Sequence, residues 1–329
     1  MAFSSSISLD VIRNPVDQEM RQFDLLFKDA LRSQVPLVDL VARYILRQKG
    51  KRVRPLLVLL SAKVCGGITE SSYRAATLIE MLHTATLVHD DVVDDADMRR
   101  GLASINAVWK NKVAVLMGDY LLSRGLLLAL KHQDYYFLNA TSNAVKRMSE
   151  GELLQIQKSR HLNLDEPTYL KIISDKTASL FSACTDIGAA SATDDDSQRQ
   201  RMQEFGENIG LAFQIRDDLL DYLGRKSLLG KPTGEDIKEK KLTLPLIYAL
   251  HASDKRHALH ALRLIKRGAS KKEIEWILNF VIEAGGVEYS LRRAEEFAAT
   301  ARQHLAAFPD SPAKTSLLQF VDFIIQRNN

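Results

Sequence analysis

Residues 70–97 read ESSYRAATLIEMLHTATLVHDDVVDDAD. Leu78, Leu82 and Ala85 recur at helical spacing, so the segment Glu70–Asp94 is a long apolar helix. It runs straight into carboxylates. Asp90 and Asp94 stand four residues apart, which puts both on one helix face, where like charges repel by a few tenths of a kcal/mol. Asp91, Asp95 and Asp97 crowd the same turns. Carboxylate oxygens are hard ligands, suited to magnesium rather than zinc when substrate phosphates complete the coordination shell. One such cluster is explained equally well as a solvated acidic helix end. A second copy, Asp217-Asp218-Leu219-Leu220-Asp221, follows another apolar segment, Ile209–Ile215. Two copies with one geometry favour the cation. Asp194-Asp195-Asp196 lies among Ser, Thr and Gln and reads as a surface loop that caps the next helix.

The rest of the chain is also helical in pattern. Helices are expected at Asp17–Ser33, Pro36–Lys49, Pro55–Cys65, Val113–Lys131, Tyr135–Lys158, Pro167–Ala192 and Ser197–Leu223. Five more follow at Leu244–Ala252, Lys255–Arg267, Lys271–Ala284, Val287–Phe308 and Pro312–Arg327. The 8 prolines fall mainly at expected helix starts and stops, and no sustained strand alternation is seen. No linker rich in Gly, Pro or Ser divides the 329 residues, so a single all-α domain over 1–329 is expected. Gly224–Leu242 is the longest irregular stretch, of the kind that is functional or disordered.

Composition narrows the function classes. The net charge is +4 and the basic residues are scattered, which gives no reason to expect nucleic acid. Cys65 and Cys184 are far apart and without CxxC spacing, which fits a reducing cytoplasm and no zinc site. The start of the chain lacks a signal-peptide pattern. The most apolar runs, Leu56–Leu60 and Leu126–Leu130, are too short for a membrane span. GxxxxGK[ST], GxSxG and HExxH are all missing, so P-loop, serine-hydrolase and zincin chemistry are not indicated.

The cations complement the acids. Lys51, Arg52 and Arg54 precede a helix start at Pro55, Arg99-Arg100-Gly101 follows the first acidic motif, Lys176-Thr177 lies within a helix, and Lys231 and Lys241 flank the long loop. Arg grips phosphate with a planar fork and Lys with a point charge. Each alone reads as surface; together with the acids they describe a site for two diphosphates.

In this order, GKRVRP, HTATLVHDDVVDDADMRRG, GDYLLSRG, SDKTASLF, GLAFQIRDDLLDY and GKPTGEDIKEKKLTLPL, the chain resembles the trans-polyprenyl diphosphate synthase family. The likeness is greatest to bacterial octaprenyl-type members and covers nearly the whole chain. The resemblance implies an isoprenoid-synthase bundle around a large central cavity. It also implies a condensation of isopentenyl diphosphate with an allylic diphosphate, assisted by two or three magnesium ions. Asp90, Asp94 and Asp217 would hold the metal, with Asp91, Asp218 and Asp221 in support. Lys51, Arg54, His83 and Arg100 would hold isopentenyl diphosphate. Arg99, Lys176, Lys231 and Lys241 would hold the allylic diphosphate, and Thr177 and Gln214 would line the reacting carbons. A homodimer is implied as well. Two departures stand out: Arg216 precedes the second motif where an apolar residue is common, and Lys240-Lys241-Leu242-Thr243 stands where Gly-Lys-Pro-Thr is often found. The second puts the role of Lys241 in doubt.

Product length follows from the helix below the first motif. Ala85 and Thr86 are small, and Met81 and Leu82 one turn deeper are not aromatic, whereas short-chain relatives close the floor with aromatics. The expected tunnel is open and the product long, near octaprenyl, for a quinone side chain. Small residues that merely permit close helix packing are the competing explanation. A farnesyl- or geranylgeranyl-type synthase, a terpene cyclase or head-to-head enzyme, and a non-catalytic partner subunit are the other functions weighed. The last two fit poorly with motifs that keep every Asp and Arg.

Overall fold

The computed structural model describes residues 7–48, 50–223 and 234–326. Among them, sixteen α-helices and one two-residue hairpin make up the regular structure. The first five helices are α1 (Leu9–Arg13), α2 (Asp17–Ala30), α3 (Pro36–Arg47), α4 (Val53–Val64) and α5 (Glu70–Val93). Strands β1 (Met98–Arg99) and β2 (Leu102–Ala103) lead to α6 (Ile105–Lys131), α7 (Tyr135–His161), α8 (Glu166–Ile173), α9 (Ser179–Ala190) and α10 (Asp196–Leu223). Then come α11 (Glu235–Lys238), α12 (Leu244–Ala252), α13 (Lys255–Arg267), α14 (Lys271–Glu283), α15 (Gly286–Ala306) and α16 (Pro312–Gln326).

At the centre lies α9, buried from Ser179 to Ala189. Apart from Asp186 its sequence is apolar or small on every side, as a helix surrounded by others requires. A first apolar core gathers α2, α4, α5, α6 and α9, with Phe23, Phe27, Leu57, Leu78 and Phe181 in it. A second joins α8 and α12–α15 through Tyr169, Leu246, Ile277 and Val281. Helix α10 serves both: Met202, Phe205 and Ile209 enter the first core, while Ile215, Leu219 and Tyr222 enter the second. The second carboxylate motif therefore sits on a helix held from two sides.

The structure departs from the sequence pattern at four places. Helix α6 begins at Ile105, eight residues earlier than expected, because Ser104 Oγ accepts from the Ala107 amide at 3.3 Å. Lys110, at φ 70° and ψ 163°, breaks the helix locally, which is why the periodic pattern became readable only from Val113. The segment read as one helix, Pro167–Ala192, is α8 and α9 joined by a π-type turn, Ser174–Ala178. Arg99-Arg100-Gly101 lies in a hairpin with Met98 opposite Ala103. Arg100 and Gly101 both have positive φ, 52° and 78°, as the tight primed turn of a two-residue hairpin demands. Asp195 caps α10 as expected, accepting from the Ser197 amide at 2.9 Å. Of the long irregular stretch, 224–233 lies outside the described residues, and with it Lys231; α11 follows.

One helix among the described residues, α6, is long and apolar enough to cross a membrane by length and composition. It packs along α5, where Gly125 brings it within reach of Leu78.

Candidate active site

Two anionic helix ends dominate the site. Helix α5 is secured at its start by a Thr69–Ser72 capping box and ends on Asp90, Asp91 and Asp94 with no basic residue in its last turn. Helix α10 ends on Asp217, Asp218 and Asp221, again with no basic residue in its last turn. A helix C-terminus already carries a partial negative charge, so carboxylates there add to an unfavourable potential, each at a cost of about 0.3–1 kcal/mol. Asp90 and Asp94 are both exposed. Partial desolvation by the surrounding helices, and then the neighbouring Asp94, pushes the Asp90 carboxyl upward.

The six candidate metal ligands divide. Asp91 is buried and takes both Nε (2.8 Å) and Nη2 of Arg99 on one oxygen. Asp221 caps α11, accepting from the amides of Gly234 (3.0 Å), Glu235 (3.0 Å) and Asp236 (3.1 Å). Asp218 accepts from Tyr169 Oη at 2.6 Å and Gln214 Nε2 at 2.7 Å. Asp90, Asp94 and the exposed Asp217 remain the members turned to solvent. Among the described residues no three His, Cys, Asp or Glu converge tightly enough to hold an ion alone. The donor set therefore fits a hard cation only if phosphate oxygens supply the rest of the shell.

Between these ends lies a cleft lined by Gln155, Tyr169, Lys176, Thr177, Gln214, Asp218, Asp236 and Lys241. Thr177 Oγ1 donates to Gln214 Oε1 at 2.7 Å. Lys176 reaches Gln155 Oε1 at 3.0 Å and pairs with Glu152. Lys241 pairs with Glu239 at 2.5 Å, and its ammonium is also stabilised by Asp236 and, more weakly, by Asp94 of the first motif. Burial pushes the carboxyls of Asp218 to about 7 and Asp236 to about 6.

The π-type turn that presents Lys176 and Thr177 is clamped from behind. Arg147 on α7 donates from Nε to Asp175 at 2.9 Å, from Nη2 to Ser174 at 2.7 Å, and to Glu207 on α10 at 2.8 and 3.1 Å. Lys171 adds a bond to Asp175 at 2.5 Å. Gly151 and Gly210 let α7 and α10 approach: a methyl at either would stand 2.9 Å from Asp175 Cβ or 2.5 Å from Ala178 Cα.

A second, basic pocket is lined by Lys51, Arg52, Arg54, Glu80, His83 and Arg100. All four residues expected to hold isopentenyl diphosphate meet here. Arg54 Nη1 lies 2.9 Å from His83 Nε2. A guanidinium only donates, so Nε2 is the acceptor and the ring is neutral. Burial, reinforced by Arg54 and Arg100, holds His83 well below the usual imidazole range. Arg52 and Arg100 both adopt left-handed φ, 50° and 52°, a strain common at ligand sites. Four cations face one buried carboxylate, Glu80, which Arg52 holds. The N-terminus of α4 opens on the same pocket, so its amides add to the attraction for an anion.

Tyr169, Asp236, Arg147, Glu207 and Glu80 were not singled out from sequence. Only Glu80, a lone acid inside an apolar run, carried a legible signal. Met81, Leu82 and Ala85 are buried, and Thr86 is half-buried with its hydroxyl on the His83 carbonyl at 2.9 Å.

Residues 35–281 match the family described as Polyprenyl synthetase. The chain is 34% identical to the octaprenyl diphosphate synthase of Haemophilus influenzae, over 98% of each chain. It is 36% identical to the all-trans-nonaprenyl-diphosphate synthase (geranyl-diphosphate specific) of Rhodobacter capsulatus, over 95% of this chain and 96% of that one. A crystal structure of polyprenyl synthase from Caulobacter crescentus, complexed with calcium and isoprenyl diphosphate, superposes with a TM-score of 0.90 at 34% identity, covering 99% of this chain and all of the other. The motifs, the two acidic helix ends and these likenesses agree, and the chain belongs to the polyprenyl synthetase family.

Proposed function

We propose that the chain extends an allylic diphosphate with isopentenyl diphosphate, head to tail and trans, to a long polyprenyl diphosphate near octaprenyl, for a quinone side chain. The observation that supports the reading most is the pairing of two carboxylate-bearing helix ends, neither with a basic residue in its last turn, with a separate, four-cation pocket. One end of the site suits a metal-bridged diphosphate and the other a bare one. Asp90, Asp94 and Asp217 would hold two or three magnesium ions, which supply positive charge to the leaving diphosphate. Lys176 and Lys241 add charge to the same group, with Lys231 as a further candidate. Arg99 acts by holding Asp91 in place and lies within reach of the same anion. Lys51, Arg54, His83 and Arg100 hold isopentenyl diphosphate.

The reaction needs no protein nucleophile. The allylic carbon–oxygen bond breaks and its electrons leave on diphosphate, where Lys176 and Lys241 stabilise the charge as it develops. The isopentenyl double bond attacks the resulting cation, a carbon–carbon bond forms, and a proton passes to the departed diphosphate. Thr177 and Gln214 line the reacting carbons. The surrounding apolar helices exclude water that would quench the cation.

The whole chain, 1–329, serves as one catalytic unit in this reading, working in the cytoplasm. It pairs with a second copy across α6, whose exposed Leu116, Leu127 and Leu130 lie on one face. A shorter product of the geranylgeranyl type is the competing reading. Incubation with labelled isopentenyl diphosphate, magnesium and several allylic starters tests all of this. Long-chain product that vanishes with a chelator is expected. Full turnover in chelator would remove the metal role, and products of four units or fewer would remove the long-chain reading.

A further inference from the structure

Residues 255–272 contain seven Lys and Arg and no Asp or Glu. The whole chain carries only +4, so the remainder of the molecule is net acidic. Folding gathers this charge on one face. On α13, Ala261, Leu264 and Ile265 turn inward, while Lys255, Arg256, Arg263, Lys266 and Arg267 are exposed. Lys271 and Lys272 extend the patch into the first turn of α14 and are exposed too. Of the seven, Arg267 alone pairs with a carboxylate among the described residues, Glu273.

Lys266 and Arg267, in the last turn of α13, suit its helix dipole, but four of the others do not. Lys255 and Arg256 stand at the N-terminus of α13, and Lys271 and Lys272 at that of α14. Cations there oppose the helix dipole. Leu259 is 52% exposed amid the charges. Nearby, Trp276 is only partly buried, edge-on to His260 with ring centroids 4.7 Å apart. A cationic amphipathic helix with an outward Leu, next to a helix with a partly exposed Trp, is the composition that settles at a lipid headgroup boundary.

We infer that the α13–α14 face docks on a membrane surface of anionic lipid headgroups. Lipid is favoured over nucleic acid by Leu259 and Trp276, which a phosphate backbone would not reward. It is favoured also by the proposed long polyprenyl product, an apolar chain that partitions into a bilayer. That second argument rests on the long-chain reading. Vesicle binding is measured without turnover, so either can fail alone.

The test is sedimentation of the full-length protein with vesicles of phosphatidylcholine alone or with about 30% phosphatidylglycerol, at low and at high salt, where the Debye length falls from about 10 Å to about 3 Å. Binding to the anionic vesicles, at least tenfold weaker binding to neutral ones, and loss at high salt are expected. The variant Arg256→Glu/Arg263→Glu/Lys266→Glu should reduce binding at least tenfold and leave turnover in detergent within twofold. Equal binding to both vesicle types, or no binding to either, overturns the inference without any variant. So does a well-folded variant that binds as wild type, or tighter binding of the wild type to a duplex oligonucleotide than to anionic vesicles.

Discussion

Tyr169 donates its hydroxyl to Asp218 Oδ2 at 2.6 Å, on the carboxylate whose other oxygen accepts from Gln214 at 2.7 Å. The chain of bonds continues, since Gln214 Oε1 accepts from Thr177 at 2.7 Å. The ionised Asp218 only accepts, and in that form it fixes the Gln214 amide with nitrogen toward itself and oxygen toward Thr177. The second motif thus sets the orientation of two residues that line the cleft.

Tyr169→Phe removes the far end of that chain and keeps the ring in the second core. A hydrogen bond to a charged group is worth about 1.5–3 kcal/mol, and part of that is spent here on orientation. The expected result is a fall of about tenfold in kcat with little change in KM for isopentenyl diphosphate. Steady-state kinetics with both substrates varied would show it; an unchanged kcat would mean that Gln214 is held without Tyr169.

The Arg147 clamp leads to a second expectation. Glu207→Gln weakens its charge-assisted bonds to Arg147 and should loosen the turn that bears Lys176 and Thr177. We expect a higher KM for the allylic starter and a kcat lower by about tenfold, while KM for isopentenyl diphosphate stays put because its pocket lies elsewhere. A purely structural role would instead lower the melting temperature and leave both Michaelis constants alone. Gly151→Ala forces a methyl to 2.9 Å from Asp175 Cβ and should destabilise the protein by about 1–3 kcal/mol, as overpacking does.

Much of this site was legible because its residues are local in sequence. The i,i+4 carboxylates and the run Lys51–Arg54 each announce themselves within one or two turns, and the four isopentenyl-diphosphate candidates do meet in one pocket. Tyr169, Arg147 and Glu207 do not announce themselves. Their partners are 49, 28 and 60 residues away, and a lone Tyr, Arg or Glu on a helix carries no pattern. The π-type turn was hidden for a related reason: its sequence keeps helical periodicity on both sides, and only packing against α7 and α10 reveals the extra residue. Division of labour among the aspartates was equally out of reach. Asp91 and Asp218 differ from Asp90, Asp94 and Asp217 in which way the helix turns them, and Asp221, on the face of Asp217, differs by the α11 amides that meet it.

Asp186 offers a stability test away from the proposed metal. It is buried at 3% exposure and accepts from Tyr136 Oη at 2.8 Å. Burial raises its carboxyl from 3.8 to about 6, against the opposing pull of Tyr136 and Arg199. A raised carboxyl means the fold prefers the protonated form. Its contribution is complete below about pH 4 and is lost as pH rises through about 6. Asp186→Asn keeps an acceptor for Tyr136 and cannot ionise. It should match wild type near pH 4 and be more stable by about 3 kcal/mol at pH 8. Denaturant midpoints at the two pH values decide it; a constant difference would show that Asp186 does not titrate in this range.

Ala85 is 3% exposed, one turn before Asp90, with Met81 and Leu82 one turn deeper. If the growing chain passes this point, Ala85→Phe should block it, and the products should shorten by several isoprene units while the first condensation stays fast. The same substitution adds a large ring to a packed site and should lower stability by about 1–3 kcal/mol, so products must be compared at equal folded protein. Thr86→Phe is the companion variant. Thr86 is only half-buried, so the ring costs less there, and its position faces the same turn of α5. Shortened products from both variants, separated by chain length, would place the tunnel beneath the first motif. Unchanged products from both would mean that these small residues serve helix packing, and that length is set elsewhere.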